Sequence, residues 1–155
     1  MSQIQDKVRS LLIPVQGGTL LLPNVAVAEV VDYRTPQPAE DGPPWLLGFM
    51  DWRGLDVPLI SFEVVRGDSN PEVDPHARVA VVNSVKGGEV AFYALLTAGI
   101  PRLVRVGDED VMPGEAAVLP VPGEAARVLV NGAPAVIPDL DTLESLVADY
   151  LKHAA

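Results

Sequence analysis

Cysteine is absent from this sequence, and with it any disulfide framework, thiolate nucleophile or Cys-based metal site. A chain built this way suits the cytoplasm, which is its expected location. Cations are scarce: 11 lysines and arginines stand against 21 aspartates and glutamates, for a formal charge of −10. Nucleic acid and anionic membrane surfaces are therefore poor partners, because phosphate recognition needs clustered Lys and Arg. Long apolar runs are missing too. The most apolar window, residues 20–28, is broken by Pro23 and Asn24, well short of the roughly 18 to 20 residues that span a bilayer, so no membrane insertion is expected. Residues 1–15 contain no apolar core followed by a small-residue cleavage site, so secretion is not indicated. There are two histidines, His76 and His153, and neither has a second histidine at metal-ligand spacing.

The sequence does contain enough apolar material for a core. With 48% hydrophobic and 21% charged residues over 155 positions, one packed globular unit is expected and disorder is not. The 13 glycines and 15 prolines punctuate short runs of Val, Leu and Ile, and this pattern predicts a mostly β protein. Gly17-Gly18, Gly87-Gly88 and Asn131-Gly132 supply the positive φ angles of hairpin turns. Strands are expected at 11–15, 19–22, 78–84, 89–96 and 126–130. Four prolines within residues 34–44 predict an exposed loop without a regular ladder. The polar stretch 66–76 predicts a boundary between two sub-barrels that share a core, one of residues 11–65 plus the C-terminal segment, the other of residues 77–138.

From residue 139 the apolar period lengthens. Leu143, Leu146, Val147, Tyr150 and Leu151 share one helical face, and Asp141 with Glu144 resembles a capping box. This helix is expected to seal an open end of the β structure; the alternative is a partner-docking face. Residues 46–62 and 126–140 echo one another as apolar strand, glycine, apolar strand with proline, with Gly54 and Pro58 answered by Gly132 and Pro138. The echo suggests an internal duplication.

No catalytic set emerges. The nucleophile elbow, the phosphate-binding loop and the dinucleotide fingerprint are all missing, and no cofactor is indicated. The cluster Asp108-Glu109-Asp110 lacks the alternating ligands of a calcium loop and is read as a solvated turn. Trp45, Phe49 and Trp52 concentrate aromatic surface in a chain only 5% aromatic, as core or as a ligand cage. Arg53, between Trp52 and Gly54 at the end of an apolar strand, reads either as a clamp on carbonyls left free at the turn or as a partner contact. Two other classes stay open: a small barrel enzyme or ligand-binding protein using Glu29, Asp51 and Asp56, and a scaffold that self-associates through unpaired edge strands.

One ordered string organises these features: Leu20-Leu21-Leu22-Pro23, then Val27-Ala28-Glu29-Val30, then the proline loop, then Gly48-Phe49-Met50-Asp51-Trp52-Arg53-Gly54-Leu55-Asp56-Val57-Pro58. In these residues the chain resembles the CheW-like domain, the coupling module of bacterial chemosensory arrays. The element Pro138-Asp139-Leu140-Asp141-Thr142-Leu143 is similar to that family's closing element. The resemblance spans nearly the whole chain. It implies a pair of intertwined, five-stranded SH3-like β-barrels with a C-terminal helix, and a non-catalytic adaptor. The implied partners are the regulatory domain of a CheA-type histidine kinase and the cytoplasmic tip of a methyl-accepting chemoreceptor. It further implies partner contact at Glu29, Val30, Gly48 and Arg53, and a structural junction at Trp52, Gly54 and Pro58. Asp51-Trp52 stands where the family has Asn-Leu, Ser61-Phe62 where it has Asp-Leu, and Ala98 where it has Asp. These departures fit, by analogy, a divergent member serving a specialised pathway such as the chemosensory system of type IV pili.

Overall fold

The computed structural model describes residues 7–88, 90–115 and 119–154. Its strands are β1 (Val8–Val15), β2 (Gly18–Pro23), β3 (Val27–Asp32), β4 (Leu46–Trp52), β5 (Leu55–Ile60), β6 (Arg78–Asn83), β7 (Phe92–Leu96), β8 (Arg102–Val106), β9 (Val111–Pro113), β10 (Glu124–Val130) and β11 (Ala133–Pro138). A short helix α1 (Phe62–Arg66) follows β5, and the longer α2 (Leu140–Ala154) follows β11. The protein is thus mostly β with a C-terminal helix. The expected strands lie within or beside observed ones; Glu89, the expected start of β7, lies outside the described residues.

Two sheets form, in the orders β8-β1-β2-β11-β10-β9 and β3-β6-β7-β5-β4. They match strand for strand. In each, a hairpin (β1–β2 or β6–β7) has an antiparallel neighbour on one side (β8 or β3). On its other side is a parallel neighbour (β11 or β5) that is itself the second strand of a hairpin. The single bridge Gln37–Phe49 stands in the second sheet where β9 stands in the first. The duplication suggested by the sequence is therefore present in the topology, as β1 to α1 and β6 to α2, each placing its first hairpin in the other's sheet.

That exchange corrects the expected division of the chain. Residues 66–76 separate the two repeats but not the two sheets. Strands from 8–23 pair with strands from 102–138, and strands from 27–60 pair with strands from 78–96. The first sheet also has six strands among the described residues, not five.

Side-chain alternation shows why the hairpins must cross over. In β1 and β2, Leu11, Ile13, Val15, Leu20 and Leu22 enter a central core, while Leu12 and Leu21 point to a second core with Val106, Val128 and Val130. In β6 and β7, Ala80, Val82, Tyr93 and Leu95 face the central core, and Val79, Val81, Ala94 and Leu96 face a third with Trp52, Val57 and Leu59. Both faces of these hairpins are apolar, so each needs cover on two sides. The second core also holds Val104 and Val111 from the two edge strands of the first sheet, and the third holds Val31 and Leu47 from the edges of the other. Each sheet therefore curls into a barrel around its own core, and the central core is the seam between barrels. Burying one Leu, Ile or Val is worth about 1.5–3 kcal/mol, which makes this seam a large stabilising element.

The helices close the seam and tie it to the hairpin turns. Ser61 caps α1 by accepting from the Val64 N–H at 3.3 Å, and Gly67, at φ 110°, ends it in the left-handed region. Phe62 and Val65 enter the central core. The buried Glu63 accepts the Gln16 N–H at 2.8 Å, and Arg66 donates to the Gln16 carbonyl at 2.7 Å, so α1 grips the β1–β2 turn. In α2 the cap is Asp139, not the expected Asp141: its carboxylate accepts the Thr142 N–H at 3.1 Å and the Thr142 hydroxyl at 2.7 Å. Glu144, only 2% exposed, is no capping residue either. It accepts the Val85 N–H at 2.7 Å, the Lys86 N–H at 3.0 Å and the Ser84 hydroxyl at 2.8 Å, gripping the β6–β7 turn. Leu143 and Val147 bury the helix face in the seam, as a sealing helix requires.

Glu144→Gln puts an amide donor where one carboxylate oxygen receives N–H groups, and is expected to lower stability by about 1–3 kcal/mol in urea denaturation. Tyr93 behaves oppositely. Its buried hydroxyl has no hydrogen-bond partner among the described residues, and burial, with Glu144, Asp139 and Asp141 nearby, pushes its pKa up. Tyr93→Phe removes the unpaired group, and the same measurement is expected to show unchanged or higher stability, by up to about 1 kcal/mol.

Candidate functional site

The β4–β5 hairpin closes through the two-residue loop Arg53-Gly54, with Trp52 paired to Leu55. Both loop residues have positive φ, 51° and 79°, the signature of a type I′ turn, whose twist suits a hairpin. Asn131-Gly132 in β10–β11 repeats it, at 48° and 86°. Arg53 thus occupies a position that Asn usually fills, at some backbone strain. Its side chain is 69% exposed. Its guanidinium bonds no carbonyl at the turn; instead Nε and Nη2 donate to Glu29 Oε1 on β3 at 3.3 and 3.1 Å.

Trp52 joins the same oxygen. Its indole N–H donates to Glu29 Oε1 at 2.9 Å, its ring meets Phe92 edge-on at 4.8 Å, and Arg53 lies 5.1 Å from the ring centre. Leucine, which the family has at this place, carries no such donor. The Trp52 indole, followed by the Arg53 guanidinium, holds the Glu29 carboxyl below its ordinary value. Glu29, Trp52 and Arg53 therefore form one ligature between β3 and β4, the two edge strands of that barrel. Val30, the next residue on β3, points the other way and is 37% exposed.

Gly48 does a different job. At φ 143°, a Cβ there would lie 2.3 Å from the Gln37 carbonyl oxygen. The proline loop crosses β4 at this point, and Gln37 exchanges both backbone hydrogen bonds with Phe49 at 2.8 Å. The expected ladder-free loop is corrected here: Gln37 pairs between Pro36 and Pro38. Because Phe49 gives its N–H and carbonyl to Gln37, the Phe49–Pro58 pair makes no ladder bonds, and the N–H that Pro58 lacks is not needed by β4.

The remaining candidates disperse. Trp45 packs on the central core, Trp52 in its own barrel, and Phe49 lies 6.4 Å from Tyr150, so the three rings form no cage. Asp51 and Asp56 face each other across the hairpin, apart from Glu29, whose shift is opposite to the one a general acid needs. Asp110 accepts the Gly107 N–H at 2.7 Å and pairs with Lys7 at 3.3 Å; chiefly that N–H lowers its pKa. Among the described residues no group of three or more His, Asp and Glu is placed to hold a metal. Ala98, where the family carries Asp, donates its N–H to the Pro14 carbonyl at 2.8 Å and so links the two barrels through backbone. Of the two gripping carboxylates, Glu63 has no reading from the sequence and Glu144 only that of a capping residue, although each is a charge set among core-facing helical positions.

Gly48→Ala combines a clash with backbone strain and is expected to cost about 2–4 kcal/mol, with faster hydrogen exchange at Gln37 and Phe49. For Glu29 the folded pKa lies below the ordinary 4.5. Its contribution to stability is therefore present above that value and is lost as pH falls through the folded pKa. An NMR titration is expected to place the Glu29 carboxyl below 4.5, and Trp52→Phe to move it back up.

A model of the CheW-like domain matches residues 9–147. Among curated proteins no sequence matches this chain. Among solved structures, the crystal structure of the scaffolding protein TtCheW from Thermoanaerobacter tengcongensis superposes with a TM-score of 0.73 at 13% identity, over 90% of this chain and 89% of that one. The shared architecture is a pair of SH3-like barrels, and a match over residues 9–147 embraces both of them and the first half of α2, so the chain belongs to the CheW-like domain family.

Proposed function

We propose that this protein is a non-catalytic, cytoplasmic signalling adaptor that couples methyl-accepting chemoreceptors to a CheA-type histidine kinase. The observation that carries the proposal is the family match, which runs unbroken through both barrels. Val30 and Arg53 are the exposed members of the expected contact set, one on the β3 edge and the other in the β4–β5 turn. Glu29 acts by holding Arg53, and Gly48 by seating the proline loop against β4. Trp52, Gly54 and Pro58 shape the hairpin that presents them. The departures at Asp51, Trp52, Phe62 and Ala98 favour a specialised pathway, of which type IV pilus systems are an example.

Calorimetric titration of the purified chain against the cognate kinase's regulatory domain and against a receptor-tip fragment tests this. Wild type is expected to bind both, and Val30→Glu or Arg53→Glu to weaken binding to one of them by about tenfold or more without unfolding the chain. A folded wild type that binds neither partner overturns the adaptor reading.

A further inference from the structure

We propose that the outer edge of β8 is a docking site for an extended acidic segment of a partner protein, which adds to the first barrel as a further strand. β8 ends its sheet, and among the described residues no strand pairs with its outer side. Such an edge presents unused N–H and carbonyl groups at strand spacing. The proposal concerns the other barrel from the one bearing Val30 and Arg53, and it stands independently of the adaptor reading.

Charge identifies the occupant. Arg9 on β1 lies directly opposite Arg105 on β8, and both are exposed. Like charges facing across a strand pair are destabilising. In a chain with 21 acidic residues, neither arginine has a carboxylate within ion-pair distance among the described residues, nor does Arg102 at the start of β8. Asp110, in the turn that follows β8, is taken by Lys7 and the Gly107 N–H. Leu103, 59% exposed, sits two residues from Arg105 on the same face and opposite Leu11, giving an apolar anchor beside the cations.

A second copy of this chain is a poor occupant, because antiparallel β8–β8 pairing would bring its arginines alongside these. A basic strand is repelled in the same way. What fits is a strand with carboxylates on the face that meets Arg105 and Arg9, each forming a charge-assisted hydrogen bond while the backbones complete the ladder.

The probe is a peptide of about eight residues alternating glutamate and valine, titrated into the 15N-labelled full chain. Shifts and slowed amide exchange are expected along Arg102–Val106, with affinity falling as salt is added. Arg9→Glu/Arg105→Glu is expected to weaken binding at least tenfold, as is N-methylation of alternate peptide amides. Arg105→Gln, which removes the charge but keeps a polar, hydrogen-bonding side chain, is expected to weaken it less. Absence of any perturbation of β8 at millimolar peptide overturns the proposal. So does equal binding of a lysine–valine peptide, of the methylated peptide, or of the doubly substituted chain.

Discussion

The β1–β2 and β6–β7 hairpins carry apolar side chains on both faces, and neither can be satisfied within its own half of the chain. Leu12 and Leu21 require one barrel interior while Ile13 and Leu20 require the seam; Val79 and Val81 stand in the same relation to Ala80 and Val82. Each hairpin is therefore shared, lining a barrel built mostly by the other repeat and at the same time walling the central core. Separating the barrels would expose the seam face of both hairpins at once. The two units are consequently one cooperative structure, although the repeats are consecutive in sequence.

Two buried carboxylates secure the exchange. Glu63 on α1 and Glu144 on α2 each receive backbone N–H groups from the turn of the hairpin that their own repeat contributes to the other sheet. A buried charge is costly unless its acceptors are filled, and here turn N–H groups fill them. The helices thus do more than cover apolar surface. They fix the two turns relative to the seam, and Ser61 and Asp139 cap them at equivalent points of the two repeats.

The candidate site follows from the same plan. Its barrel closes where β3 meets β4, and one oxygen of Glu29 collects donors from Trp52 and Arg53 across that gap. The motif residues were legible in order along the chain, but their division of labour was not. Gly48, an expected contact position, is also the crossing point for the proline loop; Arg53, read as a clamp on turn carbonyls or as a partner contact, bonds Glu29 instead of a carbonyl and is largely open. A sequence shows which residue types stand together, whereas exposure depends on what the rest of the chain lays over them. Trp52 is the clearest case, since its aromatic surface suggested core, and only the position of β3 makes its N–H a ligand of Glu29.

By itself the sequence determined the local features: alternating apolar strands, hairpins closed by Gly17, Arg53-Gly54 and Asn131-Gly132, the α2 face, and the echo between its halves. These depend on φ preferences and on side-chain period over a few residues, so they are written locally. The tertiary structure alone decided which sheet each hairpin joins, that Glu144 leaves the capping role to Asp139, and that Arg9 and Arg105 come to face each other from positions far apart in the chain. Those outcomes rest on pairings between distant segments, where the need to cover both faces of a strand outweighs sequence proximity.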